Sequence, residues 1–439
     1  MSAGVETDTA AFAMSEGELE RVRADFPLLA RPLPGGRRVV YLDSGATSQK
    51  PDPVLDAEQD FYIMRNAAVH RGAHQLAHEA TVAFEEAREH VAAFIGAPSD
   101  ELVWTSGATA AINLVAYAFS NATAGRGGQA AQRFALRPGD EIVVSEAEHH
   151  SNLVPWQELA ARTGAVLRWF EVDEAGRIRV DQAGEVITDR TRIVAMTQVS
   201  NVTGAITPLA PIIARAHDVG ALVLVDGCQS VPHLPVDVTE IGADFLVFSA
   251  HKMLGPTGIG ALWARRELLE AMPPVTTGGS MVEVVRMTET TYAPPPQRFE
   301  AGTQAVAQAV AFGTAARYLG ELGMRQVAEY ERQLAVRLLE VIGGIEGVRI
   351  IGPTDPADRI AVVSFVVDGV HAHDVGQYLD DHGVLVRVGH HCAQPLHRKF
   401  GIAATSRASA SIYTSFEDID ALGDALGRVR SFFGVDSHA

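Results

Sequence analysis

At 439 residues the chain is too long for one simple core, and 47% hydrophobic with 21% charged residues is the balance of a water-soluble protein of two or three domains. A formal net charge of −18 and a pI near 5.3 exclude the basic surface that nucleic acid requires. Two cysteines exclude a disulfide framework and fit a reducing cytoplasm, the expected location.

Residues 1–20 read as an acidic, alanine-rich leader without the basic start or apolar core of a secretory signal. Ser15 followed by Glu18 spells a capping box for a helix reaching Phe26. From Tyr41 the chain alternates short apolar runs with longer amphipathic ones. Strands are expected over 101–105, 141–145, 166–171, 192–198, 222–226, 244–249 and 258–263. Most are continuous runs rich in Val, Ile or Leu, the pattern of strands buried on both faces. Helices over 80–95, 109–119, 156–163 and 210–217 lie between them. Alternating strands and helices imply an α/β fold with a mostly parallel sheet between helices. The uncharged stretch 102–125 is too polar to cross a membrane, since Thr105, Ser106, Asn113 and Asn121 interrupt it. Segment 121–134 reads as a surface loop and 276–297 as an irregular excursion. Helices over 304–322 and 324–342 follow, then strands over 348–351 and 361–367, a helix over 372–382, and strands over 385–387 and 408–412. The expected organisation is an N-terminal segment (1–40) packing on the last domain, a large domain (41–317) and a smaller α+β domain (318–439).

Two strand ends carry the chemistry. Run 222–226 ends in Asp226, then Gly227; run 244–249 ends in Ser249, followed by Ala250, His251 and Lys252. Ligands of open α/β sheets bind at the carboxyl ends of strands. A lysine and an aspartate there are what pyridoxal phosphate needs: the amine forms a Schiff base, and the carboxylate keeps the pyridine nitrogen protonated. A surface lysine and a strand-end cap would read the same way from spacing alone. Thr105-Ser106-Gly107-Ala108-Thr109 opens a helix after a strand, where backbone N–H groups can seat a phosphate. Glu148-His149-His150 places an imidazole where a flat ring can be stacked. Cys392 lies among Arg387, His390, His391 and Pro395, in a context that favours a thiolate. Gly389 and Pro395 bracket it, so its loop is expected to move. The adjacent histidines lack the spacing of a metal site, and no metal is expected.

The segments DSGATSQKP (43–51), NAAVHRGAHQLAHEAT (66–81), EHHSNLVPW (148–156), QVSNVTGAITP (198–208), DGCQS (226–230), SAHKMLGPTGIG (249–260), RFEAGT (298–303), RVGHHCAQPL (387–396) and SRAS (406–409) resemble, in this order, the cysteine desulfurases, and within them the SufS-type branch. The resemblance runs from about residue 20 to 425. It implies a fold-type I pyridoxal phosphate enzyme that converts L-cysteine to L-alanine. Lys252 would be the Schiff-base lysine and Cys392 the nucleophile that becomes a persulfide. Asp226 would pair with the pyridine nitrogen, Gln229 with the ring's phenolic oxygen, and His149 would stack on the ring. Ala108, Thr109, Ser249 and His251 would hold the phosphate, and Thr303 would add a contact from the other subunit of a homodimer. Arg407 would bind the substrate carboxylate through paired N–H bonds. Asn201 and Arg387 would position the substrate, and His70 would line the pocket. A small SufE- or SufU-like protein would accept the sulfur, as in iron–sulfur cluster assembly. A selenocysteine lyase would use the same residues, and a non-enzymatic scaffold would lack Lys252 or Arg407. Three positions depart from the family's pattern: Cys228 stands for the usual alanine, Ala110 for a common glutamate, and Tyr413-Thr414-Ser415 for a more usual Tyr-Asn-Thr. Cys228 is expected to be inert, since no cation adjoins it in sequence.

Overall fold

The structure, a computed structural model, describes residues 14–435. Residues 1–13 of the expected leader lie outside the described residues. The centre is a seven-stranded sheet made of β1 (Leu102–Thr105), β2 (Glu141–Ser145), β3 (Val166–Phe170), β4 (Thr191–Thr197), β5 (Leu222–Asp226), β6 (Phe245–Ser249) and β7 (Gly260–Ala264), in the order β1-β7-β6-β5-β4-β2-β3. Strands β2 to β6 run parallel to their neighbours among themselves, and β7 alone runs against both of its neighbours. Shared direction brings Ser145, Thr197, Asp226 and Ser249 to one edge. Strand β7 enters at that same edge, with Gly260 opposite both Ser249 and Thr105. No larger residue fits there: a Cβ on Gly260 would lie 2.6 Å from the Phe248 carbonyl oxygen and 2.7 Å from Gly107 Cα.

Helices cover both faces, as continuous apolar strands require. Ala108–Thr123 and Val154–Thr163 bury Ile112, Phe119 and Trp156 on one side. Gln75–Phe94, Ala210–Asp218 and Val306–Leu322 close the other. Strand β3 departs from the buried pattern. It is one of the two edge strands and leaves Trp169 exposed.

The second layer is an antiparallel sheet of β8 (Val348–Ile351), β9 (Val362–Val367), β10 (Arg387–Gly389) and β11 (Thr405–Ser409), in the order β8-β9-β11-β10. Helix Met324–Gly343 packs on it, and the turn at Gly323 separates that helix from Val306–Leu322. Position 318 lies inside the helix Val306–Leu322, which packs on Gln75–Phe94. The N-terminal helix Glu16–Ala24 opens on the Ser15/Glu18 capping box. It docks on the last domain through Arg23–Asp418 at 2.7 Å, and Phe26 just beyond it packs its ring, tilted by 51°, against Tyr413 at 4.6 Å.

Several boundaries differ from the sequence expectation. The strand expected over 408–412 is Thr405–Ser409, set by pairing of Val362 with Ser409 and Phe365 with Ser406. The strand expected over 385–387 divides: Val384–Leu385 pairs with Val40–Tyr41, and Arg387–Gly389 joins the sheet. The loop over 121–134 begins after a helix that runs to Thr123 and ends in a turn, Ala130–Phe134, whose Phe134 ring meets Phe119 at 5.4 Å. The excursion over 276–297 contains a hairpin, Val282–Val285 with Thr290–Tyr292. Among the described residues no helix is long and apolar enough to cross a membrane.

Candidate active site

The strand ends and the second layer enclose a cavity of about 350 Å³. Asp226 and Lys252 both line it, the first at the end of β5 and the second in the short turn Ala250–Lys252 after β6. His149, Ala108, Thr109, Gln229, Ser249, His251, Asn201, Arg387, Arg407 and Cys392 line the same space. Residues from seven separate motifs thus converge on one volume.

Ala108 opens the helix Ala108–Thr123 behind Gly107, whose φ of +145° suits glycine. No side chain caps that helix. The Ala108 N–H donates to Ser249 Oγ at 2.9 Å, and the Thr109 and Ser151 hydroxyls meet at 2.7 Å. An uncapped helix start ringed by hydroxyls is a seat for a phosphate. Gln229 Nε2 donates to the Gly45 carbonyl at 2.8 Å, while Gln229 Oε1 is buried with no partner. A buried orphan amide oxygen beside an aspartate, a lysine and a phosphate seat fits pyridoxal phosphate.

Charge states follow from burial. His149 is pulled down to about 4, chiefly by burial and then by the Lys252 charge, so its ring is neutral. Its Nδ1 accepts the Ser151 N–H at 3.1 Å, which leaves the proton on Nε2. His251 is lowered to about 4 by burial, with Lys252 and Lys50 adding to the effect. Burial pushes Glu148 up to about 8, although Ser145 Oγ, Asn152 Nδ2 and the Thr197 N–H all donate to its carboxylate. The Cys228 thiol is pushed far up, first by burial and then by the Asp226 charge. It is an inert thiol in the cavity wall.

The Cys392 loop is four residues long, between β10 and the helix Gln394–Lys399. Four hydrogen bonds hold it in this structure. The His150 N–H donates to the Cys392 carbonyl at 2.6 Å, and the Gln394 N–H donates to His150 Nε2 at 3.1 Å. Asn201 Nδ2 donates to the His391 carbonyl at 2.7 Å, and His391 Nε2 meets Thr405 Oγ1 at 2.8 Å. These bonds hold His391 and Cys392 at φ of +50° and +56°, in the left-handed region. The thiol itself is exposed, at the junction of the two domains.

Arg407 sits in β11, 2% exposed, and donates from Nη1 to the Asn201 carbonyl at 2.9 Å. Burial lowers it to about 10, so it stays a cation at neutral pH. Its Nε has no partner.

The profile of the family described as "Aminotransferase class-V" matches residues 40–422, nearly the whole chain. The chain belongs to that family. Within it the chain falls among the cysteine desulfurases. It is 55% identical over 418 residues to a "Probable cysteine desulfurase 2" of Mycobacterium leprae, covering 95% of this chain and 98% of the relative. It superposes on the cysteine desulfurase CsdA of Escherichia coli with a TM-score of 0.84 at 39% identity, covering 94% of this chain and 98% of the other. For the apo cysteine desulfurase of Thermococcus onnurineus the TM-score is 0.86 at 38% identity, with the same coverage of 94% and 98%. The expected fold class, α/β with a mostly parallel sheet and a smaller α+β domain, is the fold observed.

Two residues assigned through the family lie outside the cavity. His70 does not line it within one chain. Its ring meets Glu85 at 2.8 Å and the edge of Phe84, and its N–H bonds Thr81 Oγ1. Thr303 lines a separate hollow with Ser106 and Ala110, so a phosphate contact from it requires a second copy. Two residues now matter that the sequence did not single out: Asp43 and Lys50. The only signal for them was membership of the quoted motifs, without any spacing that names a role.

Proposed function

We propose that the chain is a pyridoxal-phosphate-dependent cysteine desulfurase of the SufS-type branch, converting L-cysteine to L-alanine and keeping the sulfur on Cys392 as a persulfide. The observation that carries this reading is Cys392 facing the same cavity as Lys252 and Asp226. When bound, the cofactor supplies the electron sink that lets the substrate's Cα proton leave and its Cβ–S bond weaken. Asp226 and Gln229 would hold its ring, with the neutral His149 imidazole beside it. The start of Ala108–Thr123, with Thr109, Ser249 and His251, holds its phosphate. Arg407 grips the substrate carboxylate through its free Nε–H and neighbouring N–H groups. Asn201 and Arg387 orient the amino acid. The Lys252 amine takes the Cα proton as general base. Cys392 Sγ, as the thiolate, attacks the substrate sulfur: the S–S bond forms as Cβ–S breaks, the bonding pair leaves with Cβ, and Cβ takes up a proton to become the methyl group of alanine.

The enzyme works as a homodimer in which Thr303 reaches the partner's phosphate and His70 the partner's pocket. Exposed Tyr62, Ile63 and Met64 supply apolar surface for that contact. Exposure of Cys392 supports hand-over to a small acceptor protein, for iron–sulfur cluster assembly in the cytoplasm. The test compares native protein, Lys252→Ala and Cys392→Ser for alanine release and thiol persulfide labelling. Lys252→Ala loses both activities and the absorbance of lysine-bound cofactor. Cys392→Ser keeps the absorbance and loses persulfide. Ordinary turnover of cysteine by Lys252→Ala would sink the reading, and alanine release from selenocysteine but not from cysteine by the native enzyme would replace it with a lyase.

A further inference from the structure

Arg387 and Arg407 stand directly opposite each other on the antiparallel strands β10 and β11. Like charges at such a pair repel. One carboxylate resolves the conflict. Asp43 meets Arg387 Nη2 at 2.8 Å through Oδ2, and its Oδ1 lies 3.3 Å from Arg387 Nε and 3.5 Å from Arg407 Nη2. Asp43 comes from the far end of the chain, where its backbone bridges to Ser409 beside β11. Both arginines line the cavity and Asp43 does not, so it meets them from behind. Two cations and one anion leave this group with one net positive charge. Arg407 is almost fully buried, its Nε is unpaired and its contact with Asp43 is long, so N–H capacity is left over in a side chain that lines the cavity. Burial raises the Asp43 pKa and the two arginines draw it back, which keeps the three groups tied electrostatically.

We propose that Asp43 is a positioning and specificity-determining residue: it holds the opposed Arg387–Arg407 pair at one net positive charge, so the site favours amino acids with a single carboxylate over those with a second acid group. The proposal rests on Arg407 being the carboxylate grip. A dianionic ligand meets the Asp43 charge behind the arginines with nothing left to offset it. A monocarboxylate such as alanine or cysteine is matched.

The experiment measures dissociation constants of L-alanine and L-aspartate for the holoenzyme by titration calorimetry. In Asp43→Asn the preference shifts toward aspartate by about fivefold, the order of one charge–charge interaction in a partly solvated site. Asp43→Glu keeps the native ratio. Arg387→Gln, with Asp43 intact, shifts the ratio the other way, and it gives the answer if Asp43→Asn fails to fold. An unchanged ratio in a folded Asp43→Asn, an equal shift in Asp43→Glu, or a shift toward aspartate in Arg387→Gln would each overturn the charge count. Alanine release from cysteine by the native protein is followed in parallel. Its absence refutes desulfuration, whereas the binding ratio decides the role of Asp43.

Discussion

Replacing His150 by alanine removes the acceptor for the Gln394 N–H and leaves the other three bonds of the Cys392 loop in place. Each left-handed residue in that loop costs roughly 1–2 kcal/mol, and each hydrogen bond returns about 1 kcal/mol. Strain and restraint are therefore nearly balanced, and one lost bond matters. About 1 kcal/mol shifts the loop roughly fivefold toward conformations in which the thiol is misplaced. Persulfide formation on Cys392, followed by rapid mixing and thiol labelling, falls by about that factor, while the cofactor absorbance stays native. The pH dependence is a second signature. The His150 pKa lies below the ordinary histidine value, because burial, then His390, disfavours its charge. His149, on the same turn, is likewise neutral, and His390 from the loop faces the ring at 5.6 Å. A depressed value means that the restraint is complete above the ordinary histidine range and is lost as pH falls through the lowered value. His150→Gln, whose amide oxygen does not titrate, flattens the acid limb of persulfide formation. Unchanged hydrogen exchange at the Gln394 amide in His150→Ala, or an unchanged acid limb in His150→Gln, would refute the reasoning.

The Glu300 carboxylate receives Arg88 at 2.6 and 2.9 Å and the Trp104 N–H at 2.8 Å, and both charged side chains are 2% exposed. Glu300→Ala leaves the buried Arg88 with Glu85 as its remaining carboxylate partner, strips the Trp104 N–H of its acceptor, and lowers stability by about 1.5–3 kcal/mol, read by denaturant unfolding. Gly260→Ala drives a methyl into the Phe248 carbonyl and Gly107, parting β6 from the phosphate seat. Its cofactor is lost on dialysis under conditions where native protein retains it. Gly128→Ala, with open space around its Cβ, is the contrast, and strain at its φ of +70° costs stability without cofactor loss.

The sheet was legible because Leu222–Asp226 and Phe245–Ser249 are nearly pure apolar runs, and burial on both faces leaves such runs little choice. Strand Thr405–Ser409 was misplaced by three residues because it is Thr-Ser-Arg-Ala-Ser, polar yet wholly buried. Its side chains find partners far off in sequence, such as Ala372 for Ser406 and Asn201 for Arg407, which no local pattern announces. Asp226, Lys252 and Cys392 were legible from their settings. Asp43 was not, since its role exists only when β10 sets Arg387 opposite Arg407. The hydrogen bonds on the Cys392 loop come from His150 and Asn201 across the cavity, partners that Gly389 and Pro395 in the local sequence do not announce.

Strand Val40–Tyr41 has one pairing partner, Val384–Leu385. A ribosome releases the first of these long before the second. Asp43, Gly45 and Ser48 therefore emerge early and wait, because Ser409 and Arg387 are made last. The central sheet can assemble while synthesis continues, but the substrate end of the cavity cannot close until nearly the whole polypeptide exists. A prematurely terminated chain would carry Asp226 and Lys252 without Cys392 or Arg407.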